Sequence, residues 1–227
     1  MTTPIARWKD LCIDATDAHL VARFWGELLG LEIDLHADGD AALRGSTPEE
    51  TIWINTVPEL RTVKQRVHLD VEMASLERIL ALDATMVLPA SESGLRWDVL
   101  ADPEGGELCA FVRGDGPTWI TEIVIDTADA ASARAQAAWW AEVLGARAID
   151  DERGFSYVQD VPGLPFDGWD FVAVPEPKTV KNRIHWDITS DDLDGLLERG
   201  ATVVAEHPDW TVLADPDGNE FCVFKPG

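Results

Sequence analysis

The chain has 227 residues and carries 18 Lys and Arg against 42 Asp and Glu, a formal charge of −24. A field of that sign repels nucleic acid phosphates and anionic membrane surfaces, which need clustered basic side chains, so neither is an expected partner. With 46% hydrophobic and 26% charged residues the composition is globular, and the length allows one large domain or two.

In chain order, residues 9–14 alternate polar and apolar as a half-buried strand does. Leu20, Phe24 and Leu28 then recur at helical spacing, with Gly30 as the stop signal. Short strands are expected at 31–35, 41–44 and 51–57, after which the pattern restarts: a strand at 67–72, a short helix around Leu76, Ile79 and Leu80, and strands at 85–88, 96–100 and 107–112. The Gly/Pro-rich stretch 113–117 divides this first unit, 1–114, from a second, 115–227. Three Cys (12, 109, 222) form no CxxC pair and read as small buried residues. No apolar run spans a membrane and no basic-then-apolar export signal opens the chain, so the cytoplasm is the expected location.

The second unit repeats the first. PELRTVKQRVHLD at 58–70 aligns with PEPKTVKNRIHWD at 175–187, WDVLADPEGGELCAF at 97–111 with WTVLADPDGNEFCVF at 210–224, and FWGELLG at 24–30 with WWAEVLG at 139–145. Three blocks in one order at nearly constant offset identify two homologous halves, each reading β-α-β-β-β twice. The FW-x-x-L-L-G helix end, the R-V-H-L-D-V strand within a K-x-R-x-H-x-D block, and the closing D-P-x-G-x-E-L turn resemble the vicinal oxygen chelate superfamily, more narrowly its glyoxalase-like and bleomycin-resistance-like domains. The resemblance implies an α+β fold of two tandem domains, each with two βαβββ modules forming a curved mixed sheet around a cleft. It leaves the reaction open.

In that superfamily metal ligands come from the first strands of the modules and from the last strand. Carried onto this chain, the ligand position seven residues before Asp17 falls on Asp10, and seven before Asp129 on Glu122; His68 and His185 occupy the second-module strands; Glu107 and Glu220 follow the D-P-x-G turns. Grouped by repeat, these are Asp10, His68, Glu107 and Glu122, His185, Glu220. Such N/O sets suit Zn, Fe, Mn, Ni or Co, and no nucleotide cofactor is implied. Period-two geometry adds Cys12 and Asp14 beside Asp10, Asp70 beside His68, Cys109 beside Glu107, and Val124, Asp126, Asp187 and Cys222 at the matching places. The clefts are therefore expected to be acidic and to favour a cation, with Asp70 and Asp187 as candidate catalytic bases or orienters.

Trp53, Trp97, Trp169 and Trp210 are candidate aromatic walls for a flat ligand, whereas Trp25 and Trp140 read as core. Lys64, Arg66, Lys181 and Arg183 precede the His strands, where Arg66 and Arg183 can grip an anionic substrate and all four can neutralise neighbouring carboxylates. Two functions compete. One is a metal-dependent enzyme, of lyase or isomerase type more than dioxygenase, acting on a small oxygen-rich or aromatic metabolite. The other is a metal-free protein that sequesters a small molecule, as bleomycin-resistance-like members do. A monomer with internal pseudo-symmetry or a homodimer is expected.

Overall fold

A computed structural model describes residues 3–227. The first module comprises β1 (Arg7–Ala15), α1 (Ala18–Leu29), β2 (Glu32–Leu35), β3 (Ala41–Arg44) and β4 (Ile52–Thr56). The second comprises β5 (Val67–Met73), α2 (Glu77–Ala81), β6 (Thr85–Leu88), a short α3 (Ala90–Ser93), β7 (Asp98–Ala101) and β8 (Glu107–Val112). The third has β9 (Trp119–Thr127), α4 (Ala130–Leu144), β10 (Arg147–Asp150), β11 (Phe155–Gln159) and β12 (Gly168–Ala173). The fourth has β13 (Ile184–Thr189), α5 (Leu193–Glu198), β14 (Thr202–Glu206), β15 (Trp210–Ala214) and β16 (Glu220–Phe224).

Local chemistry sets the helix ends alike in both halves. Asp17 accepts a hydrogen bond from the Leu20 amide at the start of α1, and Asp129 accepts from the Ser132 amide at the start of α4. Gly30 and Gly145 close the same helices at φ of 72° and 69°, a left-handed conformation that costs least without a Cβ. The buried stripe of α1 is Val21, Phe24, Trp25 and Leu28, so Leu20 lies beside the stripe, 40% exposed. Replacing Asp17 with Ala leaves that amide without its cap and should lower stability by about 1 kcal/mol. Urea denaturation with an unchanged midpoint would count against this role.

The sheets are built differently from the repeats. One eight-stranded sheet has the order β14-β15-β16-β13-β1-β4-β3-β2 and the other β10-β11-β12-β9-β5-β8-β7-β6. The first module therefore pairs with the fourth, and the second with the third, rather than each repeat closing its own sheet. This corrects the grouping of ligands by repeat. All four modules present similar apolar faces, so either pairing buries the same residue types, and only long-range hydrogen bonding distinguishes them. The antiparallel seams are β1–β13, with Asp10 opposite Asp187 and Cys12 opposite His185, and β5–β9, with Asp70 opposite Glu122 and His68 opposite Val124. Two linkers, 57–66 and 174–183, carry the chain from one sheet to the other.

An aromatic cluster joins the sheets. Trp140 of α4 lies 4.9 Å from Trp169 of β12, 5.3 Å from Trp186 of β13 and 5.0 Å from Phe221 of β16, and Trp8 of β1 meets Trp169 at 6.0 Å. Trp169 is thus fully buried in the core, which corrects its placement as a cleft wall. Its neighbour Asp170 points the other way because side chains alternate along a strand. Among the described residues no helix is long and apolar enough to cross a membrane.

Candidate metal centre

On β1 and β5, Leu11, Ile13, Leu69 and Val71 face the apolar core, so the alternate residues, Asp10, Cys12 and Asp14, and His68 and Asp70, share the opposite faces. Two clusters result, one per sheet. On the first sheet, one ligand atom from each of Cys12, His185 and Asp187 lies within 4.8 Å of the others. Asp10 adjoins them, accepting from Trp53 Nε1 at 3.1 Å. Lys9 Nζ stands 2.6 Å from Asp10, 3.6 Å from Asp187 and 4.3 Å from the centre of the Phe224 ring. Burial works against its charge, but the hydrogen bond to Asp10 and attraction to both carboxylates outweigh this and raise its pKa. The chain thus supplies its own cation here. Even so, Asp187 is pushed up to about 7 by burial and by Asp10, and its Oδ1, Asp10 Oδ1 and His185 Nδ1 are buried without partners.

The second sheet has no such ammonium. His68, Asp70 and Cys109 bring ligand atoms within 4.8 Å of one another, and Asp70 Oδ1 is buried and unpartnered. Glu122 on β9 and Asp170 on β12 add two more carboxylates. Burial, then Glu122, raises Asp70 to about 7; burial, then Glu122 and Asp70, raises Asp170 to about 8; Glu122 is raised by burial and by Asp167. Among the described residues, no Lys or Arg makes an ion pair with any of the three; only His68 approaches Asp70, at 3.6 Å. Burial holds His68 near 4, so at neutral pH its ring is uncharged and free to donate a lone pair, and burial pushes the Cys109 thiol far up, so it keeps its proton unless a metal displaces it. An N/O/S donor set with an orphaned carboxylate oxygen fits a divalent metal of the Zn, Fe, Co or Ni kind.

The remaining candidates lie around these clusters. Glu107 accepts from the Gln65 amide at 3.3 Å, and Glu220 accepts from the Asn182 amide at 3.2 Å and pairs with Lys178 at 2.8 Å. Both therefore anchor the linkers entering β5 and β13. The sulfurs of Cys109 and Cys222, two residues further along the same strand faces, lie deeper. Period-two spacing puts both Cys on those faces, and a lone small Cys in sequence reads as packing, whereas the fold sets Cys109 beside His68 and Asp70. Asp170 occupies the place in the second half that Trp53 occupies in the first, at an offset of 117, so the repeat does not mark it as a ligand position. Asp14 and Asp126 are neutralised by Lys181 at 2.6 Å and Lys64 at 2.9 Å. Trp97 packs against Phe111 at 5.2 Å, and Trp210 stacks on His207 at 4.5 Å and Phe224 at 5.8 Å, all partly exposed. Arg66 and Arg183 do not join either cluster. Arg66 donates to the Glu176 carbonyl and, at 2.8 Å, to the Asp126 carbonyl, and Arg183 donates to the Glu59 carbonyl at 2.8 Å.

Paired βαβββ modules with clusters of candidate ligand side chains on their first and last strands are the features of the vicinal oxygen chelate class. The family model described as "Glyoxalase-like domain" matches residues 10–111 and again 122–224, and the chain belongs to that family. Among solved structures, glyoxalase I from Zea mays is similar at 12% identity and a TM-score of 0.68, covering 97% of this chain and 92% of that one. A provisionally assigned dioxygenase from Bacillus subtilis subsp. subtilis str. 168 is similar at 13% identity and a TM-score of 0.64, covering 100% of this chain and 87% of that one. At such identities the likeness is one of fold. A sequence search of curated proteins found no match.

Proposed function

We propose that this protein is a metal-dependent glyoxalase-like enzyme whose centre lies on the second sheet, at His68, Asp70 and Cys109 with Glu122 and Asp170 alongside. The observation that supports this reading is the group of three carboxylates, Asp70 and Asp170 buried and Glu122 half-buried, with no Lys or Arg ion pair among the described residues. Packed carboxylates of this kind are relieved by a cation or by protons. A bound divalent ion would supply Lewis acidity toward two neighbouring oxygens of a small metabolite. His68 and Asp70 would hold the ion, and Asp170 alongside, raised to about 8 in the metal-free protein by burial, Glu122 and Asp70, is the carboxyl left to take up or give a proton. Trp97 and Phe111 wall the same face and suit a planar or unsaturated carbon skeleton. Isomerase or lyase chemistry, which moves protons next to a carbonyl, uses such groups directly.

Metal analysis of protein purified without a His tag tests this. Stoichiometric metal should be present, be lost in His68→Ala and persist in His185→Ala. Protein that carries no metal and takes up none on titration with Zn, Fe(II), Co or Ni sinks the reading.

One observation favours a different role for the first sheet. The Lys9 ammonium fills the space beside Asp10 and Asp187, and Trp53, Trp210 and Phe224 flank it. We assign to that face metal-free binding of an aromatic ligand, which should quench Trp fluorescence equally in chelated and metal-loaded protein.

A further inference from the structure

The two linkers that cross between the sheets enclose a cavity of about 330 Å³. Its lining runs against the charge of the whole molecule. Arg61, Lys64, Arg66, Lys181 and Arg183 line it with only two carboxylates, Asp14 and Glu59, in a chain whose net charge is −24. Lys64 and Lys181 are already paired, with Asp126 and Asp14. The three guanidinium groups are not: among the described residues, Arg61, Arg66 and Arg183 form no ion pair and donate only to backbone carbonyls. Arg66 is 8% exposed, yet its Nε has no partner. A buried, permanently charged donor left unsatisfied is costly unless something fills the site.

We propose that this inter-linker cavity is a binding site for a small, multiply charged oxyanion, of phosphate or polycarboxylate type. The chemistry is that of the lining. Planar guanidinium forks match the paired oxygens of phosphate and carboxylate, and they remain charged at any physiological pH. The volume lies at the lower end of small-molecule pockets, about 300–1,000 Å³, which fits a compact metabolite and excludes a polymer. The arrangement also has the symmetry of the fold. Arg66 of the first repeat holds the carbonyl of Glu176, and Arg183 of the second holds that of the equivalent Glu59. An anion bridging Arg66, Arg183 and Arg61 would therefore tie the two linkers together through residues that belong to neither metal-ligand cluster.

Calorimetric titration of the full chain with inorganic phosphate and, separately, with succinate tests the proposal, against sodium chloride at matched ionic strength. Saturable binding of at least one anion is expected, with the phosphate and succinate arms deciding which oxyanion the site prefers. Arg61→Gln and Arg183→Gln should each weaken it about tenfold or more, whereas Arg147→Gln, a surface control paired with Asp160, should not. Arg61 is exposed, and an exposed side chain is expected to be replaced at little cost in stability, so it keeps the test sound if loss of the Arg183 latch unfolds the chain. No saturable binding up to roughly 10 mM of either anion, or binding unaltered by both substitutions, overturns the site.

Discussion

Lys9→Met is expected to destabilise the protein by about 3 kcal/mol at pH 8, since it removes the ammonium that, among the described residues, pairs with two buried carboxylates. The methionine keeps most of the aliphatic volume that packs on Phe224, so the loss reports charge rather than a cavity. The effect should shrink on going to about pH 5.5. Asp187, which burial and Asp10 raise to about 7, then holds a proton in the folded state, and less negative charge is left for Lys9 to neutralise. Urea denaturation of both proteins at the two pH values measures this. An equal loss at both would mean that Lys9 acts through packing alone.

The second large effect concerns the other sheet. In chelator-treated protein, Asp70 at about 7 and Asp170 at about 8 retain protons that the unfolded chain, with carboxylates near 3.8, has already released. The folded state thus binds more protons than the unfolded one, and stability falls as pH rises through the window between those values. Asp187 on the first sheet contributes in the same direction. His68, lowered to about 4 from 6.5, acts oppositely, because the unfolded ring takes up protons that the buried one refuses. That contribution is complete once the pH passes about 6.5, and Asp70 and Asp187 release their protons near 7, so the decline should be steepest around pH 6.5 to 7 and continue more gently, through Asp170, to about 8. Asp170→Asn keeps the shape and removes the charge. It should flatten the slope and stabilise the metal-free protein at pH 8 by on the order of 3 kcal/mol, with little change at pH 5. A metal-free protein whose stability rises across that interval would falsify the account of an uncompensated carboxylate cluster.

Much of this architecture is written locally. The Asp17 and Asp129 caps, the Gly30 and Gly145 stops and the alternation along β1 and β5 are short-range signals, and the repeat makes each visible twice. The faces were legible for the same reason: Asp10, His68, Asp70, Cys109, Glu122 and His185 lie on the strand sides that period two assigns them. Partnership between modules was not legible, since identical patterns serve a neighbour in sequence and a distant one equally well. That is why His185 meets Cys12 and Asp10 rather than Glu122. Trp169 differed by a single position on its strand, enough to move it from cleft to core. Lys9, which decides how much negative charge is left in the first cluster, lies outside the repeated blocks, and Lys178, which pairs with Glu220, aligns with Arg61, which forms no ion pair among the described residues. Their positions depend on side-chain reach, which spacing does not encode.

The pairing of modules one with four and two with three also orders assembly. Strands β5 to β12 come from a continuous stretch, so the second sheet can close with local connections. The first must join Cys12 to His185 across all of it. Loop closure over that distance is slow, and until β13 arrives β1 has an open hydrogen-bonding edge, the kind on which chains aggregate. A charge of −24 makes every other copy repulsive during that wait. That acidity is expected to act as a kinetic safeguard for a nested fold, one that keeps the waiting strand for its own chain.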